Sequence, residues 1–279
     1  MPKADAALEV TEITSAARVF PDLAEVWRHR TLAIVFAQRN VKLRFKQTLF
    51  GRAWMLVQPI LLSGVLTLFV GTLLAVPSEG VPYAVFAFTG TAIWTMFQRA
   101  VSEAGTSLTA SGNLLSKVYF PRLIIPLSTI MTASFDFLPV YGLAVVMVCA
   151  YGLFPGWPIL LSPLFALLAL AMAFAIGLWV SALDSIYRDV RLFVAYALQL
   201  GLYISPVMYP PTVVPAHWRT LYMLNPLTGL IQGFRWSMVA GIAPPEPFAV
   251  AWAVALAMAM LASGLTVFAR LERLVVDRI

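Results

Sequence analysis

The chain of 279 residues is poor in charge, in histidine and in cysteine. Only 11% of its residues are charged and 61% are hydrophobic, whereas a soluble globular domain has about 25% charged and 45–50% apolar residues. Too few charges remain to cover a water-exposed surface, so the composition indicates an integral membrane protein. Cys149 has no second cysteine to pair with, which excludes an intrachain disulfide framework.

Several functional motifs are also absent from the sequence. No glycine-rich phosphate loop ends in Lys-Ser or Lys-Thr, so we predict that the chain has no ATP site of that kind. Two distant histidines and scattered carboxylates offer no catalytic constellation and no metal site, which predicts a protein that is not an enzyme. The polar first thirty residues lack the apolar core of a signal peptide and are expected to stay in the cytoplasm. The net charge of +6 comes without a base-stacking platform, which argues against nucleic acid.

Long apolar stretches predict an all-α integral membrane protein with six transmembrane helices. A spanning helix needs about 20 mostly apolar residues, and polar or proline-rich turns separate the candidates. The second candidate has to continue past Arg99 to be long enough. The six predicted spans are 54–76, 83–108, 124–151, 159–183, 192–208 and 248–269. We predict one transmembrane domain over 1–279, in which 1–53 form a cytoplasmic tail and an interface helix.

The segment 216–241 is apolar but is interrupted by Pro226, by glycines and by Arg235. A full span would bury this arginine in the membrane at a considerable cost in free energy. A pair of re-entrant helices that dip into the outer leaflet agrees better with the pattern, because irregular backbone is tolerated at membrane depth where protein covers it.

Lysine and arginine are distributed unevenly between the two predicted sides. Of the 19 such residues, all but Arg99, Arg219 and Arg235 lie on the side that carries both termini. This asymmetry is the positive-inside signature, and it predicts that both termini are cytoplasmic. It also supports the re-entrant interpretation, because a seventh span would move the C-terminal arginines to the outside.

A basic run, RNVKLRFKQTLFGRAW (39–54), precedes the first span. Helical spacing puts Arg39, Lys42 and Lys46 on one face, and together with the amphipathic stretch 20–36 this predicts an interfacial helix on the cytoplasmic membrane surface. The alternative is that these charges only set the topology and attract anionic lipid without a specific partner.

The second cytoplasmic loop, SGNLLSKVYFPRLIIP (111–126), predicts a short helix over 112–120. Its apolar side chains would face water and mark a partner surface, unless the loop packs on its own bundle. The candidate residues are Asn113, Leu114, Leu115, Ser116, Lys117, Val118 and Tyr119.

Three charged residues lie inside the predicted spans. Arg99 and Glu103 are four residues apart on one helix and can pair. Arg99 and Asp136 lie at nearly equal depth when about 1.5 Å per residue is counted from the outer ends of their helices. We therefore predict a structural ion network of Arg99, Glu103 and Asp136; a proton relay or a substrate contact is the alternative.

Aromatic side chains are frequent in the first and fifth spans. Tyr196 and Tyr203 have helical spacing with Gln199 between them, so one face carries two rings and an amide, and Trp54 opens the first span. Aromatic rings can pack on the apolar faces of sugars and also offer a polar group. Ordinary packing within the bundle is the alternative.

Taken in chain order, these motifs resemble those of polysaccharide-exporting ABC permeases. The stretch 39–54 is similar to the family's opening motif, and 113–128 is similar to its coupling segment. YRDVR (187–191) resembles the gate region, and LNPLTGLIQGFR (224–235), together with the preceding SPVMYP, resembles the outer re-entrant helices. Asn40 stands where the family often has aspartate.

The resemblance implies the permease subunit of an ATP-driven exporter in the bacterial inner membrane. Two copies would form a homodimeric channel that moves a lipid-linked polysaccharide, such as O-antigen, to the periplasm. Two separate ATPase subunits, which use ATP and Mg²⁺, would bind the coupling helix. The implied roles are channel lining for Trp54, Tyr196, Gln199 and Tyr203, gating for Tyr187, Arg188 and Asp189, and lipid-headgroup entry for Arg39, Lys42 and Lys46. The alternatives are a related ABC exporter of a small lipid or drug and an integral membrane enzyme acting on isoprenoid-linked sugars.

Overall fold

The computed structural model describes residues 20–44, 46, 48–115 and 120–276, and these residues form helices and turns without a strand. The α-helices are α1 (Leu23–Arg28), α2 (Arg30–Arg44), α3 (Trp54–Leu66), α4 (Tyr83–Ala110), α5 (Gly112–Leu115), α6 (Ile124–Ala150), α7 (Ser162–Asp184), α8 (Asp189–Ile204), α9 (Ala216–Met223), α10 (Pro226–Met238) and α11 (Pro247–Val276). Short 3-10 helices cover Gly51–Ala53, Trp157–Leu161 and Pro211–Val213, and a π-helix covers Thr67–Leu73. The all-helical prediction is confirmed for this part of the chain.

Four helical segments are long and apolar enough to cross a membrane, namely Gly51–Leu73, Ile124–Ala150, Trp157–Asp184 and Pro247–Arg270. They agree with four predicted spans to within three residues at each end. The predicted spans 83–108 and 192–208 correspond to α4 and α8, which do not meet the same requirement. α8 has only 16 residues, and α4 contains Arg99, Glu103 and many hydroxyl side chains.

α4 is the central helix of the bundle and packs against α3, α6, α7, α8 and α10. Every residue from Val85 to Phe97 is buried. Its threonine hydroxyls donate hydrogen bonds to carbonyls of the same helix, as Thr89 does to Val85 O at 2.9 Å and Thr95 to Ala92 O at 3.1 Å. Because protein surrounds α4 on all sides at this level, the helix can carry more polar side chains than a lipid-facing helix can.

α4 and α6 pack against each other with opposite chain directions. The end of the bundle at which α4 finishes and α6 begins is called the inner end below, and the opposite end is called the outer end. The inner end also carries α5, the end of α7 and the start of α8.

The predicted interface helix is two helices that lie against the bundle. Asp22 caps α1, since its Oδ1 accepts hydrogen bonds from the amides of Ala24 (3.0 Å) and Glu25 (3.1 Å). α2 packs on α6 with Ala33 and Ala37 buried. The helix ends at Arg44, so the predicted basic face does not continue to Lys46 as one helix.

The segment 216–241 forms two short helices, α9 and α10, of 8 and 13 residues. The glycines that interrupt its apolar pattern are close packing positions of α10. A Cβ on Gly229 would overlap the backbone of Ala249 in α11, and one on Gly233 would overlap the ring of Phe165 in α7. Two short helices agree with the re-entrant prediction, while their position relative to a membrane stays a prediction.

Candidate functional site

A network of four charged side chains lies between α2, α4 and α6. Arg44 of α2 donates hydrogen bonds to Glu103 and to Asp136 Oδ2. Arg99 lies 3.4 Å from the same Asp136 oxygen and donates to Gln58 Oε1 of α3 at 3.1 Å. The structure thus brings the three predicted network residues together, but Arg44, not Arg99, contacts Glu103.

Burial decides how these charges are stabilised. The Asp136 side chain is only 3% exposed, whereas Arg44 and Glu103 are each 27% exposed. A buried carboxylate without a cation would be strongly destabilising, and two arginines from different helices compensate this one. The network therefore fastens α2 to α4 and α6 by charge as well as by apolar packing.

A polar cavity of about 300 Å³ lies beside this network at the inner end. It is partly open to the surface and is lined by α2, α4, α5 and α6. Its polar lining consists of Arg39, Asn40, Arg44, Glu103, Thr106, Ser107, Ser111, Ser128 and Thr129. Phe36, Ala110, Leu114 and Ile125 supply the apolar part of the wall.

A second charged cluster fixes the start of α8. Arg191 donates through Nε to Asp184 Oδ1 and through Nη2 to Asp184 Oδ2, each at 3.0 Å. Thr109, near the end of α4, donates to the same carboxylate at 2.8 Å. The Asp184 side chain is fully buried, so this forked pair joins α4, α7 and α8 at the inner end, directly before α5.

The predicted gate residues lie beside this cluster. Tyr187 and Arg188 are exposed in the turn from α7 to α8, and Asp189 is exposed as the first residue of α8. Arg191 ends the YRDVR stretch but is not one of the predicted gate residues, and it makes the contact that holds the turn.

The predicted channel residues are all exposed in the single chain. Trp54 is 47%, Tyr196 67% and Tyr203 55% exposed, and Gln199 is exposed between the two tyrosines. Leu198 is the buried residue of α8. Trp54 makes an edge-on contact with Phe50, with 5.7 Å between the ring centres. Packing within this chain nevertheless leaves about half or more of each of the three aromatic residues exposed.

The predicted headgroup residues separate into two environments. Arg39 and Lys42 are exposed on α2, and Lys46 is exposed in the turn after it. Of the three, only Arg39 lines the polar cavity.

The predicted coupling helix is described only in part. α5 covers Gly112–Leu115; Ser116, Lys117, Val118 and Tyr119 lie outside the described residues, as does the side chain of Asn113. Leu114 and Leu115 are partly buried against an apolar cluster that includes Phe120 and Ile124. For these two leucines, the packing favours the alternative that the loop contributes to its own bundle.

At the outer end, side-chain donors hold the proline-rich loop between α8 and α9. Arg235 of α10 is 1% exposed and donates to Pro206 O at 2.9 Å and to Val207 O at 3.3 Å. Its guanidinium lies 3.6 Å from the centre of the Phe86 ring, a cation–π contact. The Tyr83 hydroxyl donates to Met208 O at 2.6 Å. These bonds fix three successive carbonyls of the loop.

Arg44, Arg191 and Asp184 are the site residues that sequence reasoning missed. Arg44 was read as one more charge of a basic surface run. The small residues Ala33 and Ala37, four apart, are the signal that α2 can approach another helix closely. Asp184 ends an otherwise uncharged span, and a lone carboxylate in that position is a reason to look for a cation nearby.

The fold and the paired charges together define the class of protein. It is an α-helical protein with several membrane-spanning helices and with clusters of paired charged side chains near the inner end. A family model of ABC-2 type transporters matches residues 31–239. An O-antigen export system permease protein RfbA from Klebsiella pneumoniae is 26% identical over 245 residues, covering 86% of this chain and 92% of that protein. A protein of the same description from Myxococcus xanthus is 28% identical over 213 residues, covering 76% of this chain and 81% of that protein. The chain belongs to the ABC-2 type transporter family and is a membrane component of a transporter.

Proposed function

We propose that the chain is the permease subunit that exports a lipid-linked O-antigen polysaccharide from the cytoplasm to the periplasm. The observation that carries the proposal is the similarity to O-antigen export permeases, which extends over 86% of this chain. The exposed rings of α8 and the exposed apolar side chains of α3 support a transport path along these two helices.

The channel would form between two copies of the chain, along the exposed faces of α3 and α8. On α3 and the π-helix that follows, large apolar side chains are exposed at Leu61, Val65 and Leu68; on α8 they are exposed at Phe193, Leu200 and both tyrosines. Gln199 stands among the α8 side chains. An amide that faced lipid would lose its hydrogen bonds to water, so a water-filled channel suits this face better than the bilayer does.

In this arrangement the membrane is crossed six times, because α4 and α8 also span it. α4 can do so as the central helix, shielded by its neighbours. The 16-residue α8 would span with the help of the loop that follows it. Both termini would be cytoplasmic, and α9 and α10 would form the re-entrant pair at the periplasmic exit.

ATP and Mg²⁺ would be used by two cytoplasmic ATPase subunits that dock on the loop around α5. The forked Arg191–Asp184 pair and Thr109 lie next to α5 and hold the start of α8. A movement of α5 would therefore be transmitted to α8, the proposed channel helix, through Thr109 and the Arg191–Asp184 pair. Tyr187, Arg188 and Asp189 would form the gate at that point.

Deletion of the gene in its host tests the cargo. We expect the surface O-antigen to disappear and lipid-linked glycan to accumulate in the cytoplasm, with both restored by the wild-type gene. Unchanged surface polysaccharide would contradict the glycan assignment and favour the export of a small lipid or drug.

The docking of the ATPase is tested separately with Tyr119→Asp, in the predicted coupling helix. We expect copurification with the ATPase to be reduced, while Phe154→Asp, at an exposed aromatic residue between α6 and α7, serves as the control. Normal ATPase binding by Tyr119→Asp would show that this loop is not the docking site.

A further inference from the structure

The cavity between α2, α4, α5 and α6 has a wall that accepts hydrogen bonds. Thr106 donates its hydroxyl hydrogen to Ser102 O (3.0 Å), Ser107 to Ala104 O (2.6 Å), Ser128 to Ile125 O (2.7 Å) and Thr129 to Pro126 O (2.8 Å). Because each hydroxyl has one hydrogen and spends it on its own helix, its oxygen is left as an acceptor. Such a wall suits a ligand that carries several hydroxyl groups.

The charge of the cavity comes from one arginine. Arg44 is paired with Glu103 and Asp136, whereas Arg39 makes no ion pair with any carboxylate that the structure describes. Asn40, beside it, adds an amide donor. The first turns of α6, at Ile125 and Ser128, also face the cavity and bring the positive end of the helix dipole towards it. The cavity therefore attracts a single negative charge next to hydroxyl groups.

The volume and the position limit what the ligand can be. About 300 Å³ is at the small end of ligand pockets and admits a phosphodiester with a short polyol, not a polysaccharide. The cavity is lined by no residue of α3 or α8, so it is separate from the proposed channel. Basic pockets between membrane helices at the cytoplasmic side bind the headgroups of anionic lipids.

We propose that this cavity binds the phosphoglycerol headgroup of an anionic membrane lipid, with Arg39 and Asn40 on the phosphate and the serine and threonine oxygens on the glycerol hydroxyls. The proposal rests on the inner end being cytoplasmic, as in the proposed function, but not on the export of a glycan. A lipid-linked pyrophosphate shares the phosphate chemistry, but it carries more negative charge than one unpaired arginine balances. The site would thus anchor α2 to the bundle by means of a bilayer lipid.

The test measures lipid binding to the purified permease by native mass spectrometry, without ATPase or glycan. The probes are phosphatidylglycerol, phosphatidylethanol (the same charge without the glycerol hydroxyls), phosphatidylcholine and a polyprenyl pyrophosphate. We expect phosphatidylglycerol to bind most tightly, and Arg39→Gln to weaken it by about tenfold. Arg30→Gln is the matched control, since it makes the same substitution at an exposed position of the same helix outside the cavity, and we expect less than a twofold change.

A second variant, Thr106→Phe, fills the cavity without a change of charge. Because the glycerol hydroxyls could then no longer enter, we expect the preference for phosphatidylglycerol over phosphatidylethanol to be lost. Size-exclusion elution and thermal unfolding establish that each variant is folded. Equal weakening by Arg39→Gln and Arg30→Gln would show diffuse surface attraction and overturn the proposal. Tighter binding of the polyprenyl pyrophosphate, with loss at Arg39→Gln, would overturn it in favour of the export substrate. The binding experiment measures no transport. Failure of the lipid-site proposal therefore does not contradict the proposed export function, which the gene deletion tests separately.

Discussion

Arg44 near the inner end is partly buried and Arg235 at the outer end is fully buried, and the protein compensates their charges in different ways. Arg44 meets two carboxylates, Glu103 and Asp136, from two other helices. Arg235 meets two loop carbonyls and the Phe86 ring, and among the described residues no carboxylate lies within ion-pair distance of it.

The difference indicates what each arginine is for. Opposite charges attract over a longer range and from several directions, so the inner network holds whole helices together. Carbonyls and an aromatic face have to be met at short distance and with exact direction, so Arg235 instead fixes the shape of one loop. The burial of Glu79, which precedes α4, raises the pKa of that carboxyl, and the charge of Arg235 counteracts this shift. The inner network therefore joins three helices, whereas the contacts of Arg235 define the shape of one loop.

Arg44→Met should have the largest effect on this comparison, because it leaves Glu103 and Asp136 without the cation that joins them. Loss of one partner of a buried ion pair costs about 3–5 kcal/mol of unfolding free energy. Since Arg44 and Glu103 are 27% exposed, we expect a loss near the lower figure, measured by unfolding in detergent. Adding Glu103→Gln should recover part of it. Simple additivity of the two variants would show that the residues are not coupled.

Arg235→Lys should come next, because an ammonium group cannot meet both carbonyls and the Phe86 ring in the manner of a guanidinium. We expect a loss of about 1–2 kcal/mol, concentrated in the loop 205–215. Faster cleavage of this loop by protease added from the outer side measures the effect. Arg219→Lys, on the exposed side of α9, is the control and should leave the cleavage rate unchanged. A global loss of stability without faster loop cleavage would contradict the role assigned to Arg235.

Asp184→Asn should have a smaller effect, of about 1 kcal/mol, because Arg191 is 47% exposed and water replaces part of the lost attraction. Faster hydrogen exchange at the first turn of α8 is the expected observation. Glu246→Gln, which removes an exposed carboxylate directly before α11, is the control. If both variants exchange equally, the forked pair does not hold the start of α8.

Tyr83→Phe should have the smallest effect, because it removes one hydrogen bond, 2.6 Å long, to Met208 O. Replacing the tyrosine leaves a half-buried carbonyl that water can still reach, so we expect about 1 kcal/mol or less. Protease cleavage of the loop 205–215 should increase, but less than in Arg235→Lys. A larger increase in Tyr83→Phe would mean that the tyrosine, and not the arginine, holds the loop.

The sequence predicts a contact between side chains only where their spacing along a helix, or their depth in two spans, indicates that they lie close together. Arg99 and Asp136 were placed together from equal depth in two spans, and the structure has them 3.4 Å apart. The sequence does not distinguish Arg44 from its neighbours Arg39 and Lys42, which are exposed charges. The only sign of a buried face on α2 is the pair of small residues Ala33 and Ala37. The outer loop contacts were invisible, because their acceptors are backbone carbonyls and every residue has one.

Helix lengths show the same limit. Four spans were predicted to within three residues, since lipid-facing helices must be apolar along their length. For α4, surrounded by other helices, hydropathy carries less information, because protein rather than lipid decides which polar groups are tolerated.

Export of a lipid-linked glycan by this chain, with the energy of a separate ATPase, can be measured by reconstitution. The permease and its ATPase are placed in vesicles with a radiolabelled lipid-linked O-antigen, and protection of the glycan from an added glycosidase is measured. ATP added outside the vesicles drives only complexes whose ATPase faces outwards. We therefore expect ATP to move the glycan into the lumen, where it is protected from the glycosidase, and we expect no protection without the permease. ATP hydrolysis with no movement of the glycan, in vesicles that retain correctly folded complex, would contradict the proposed export function.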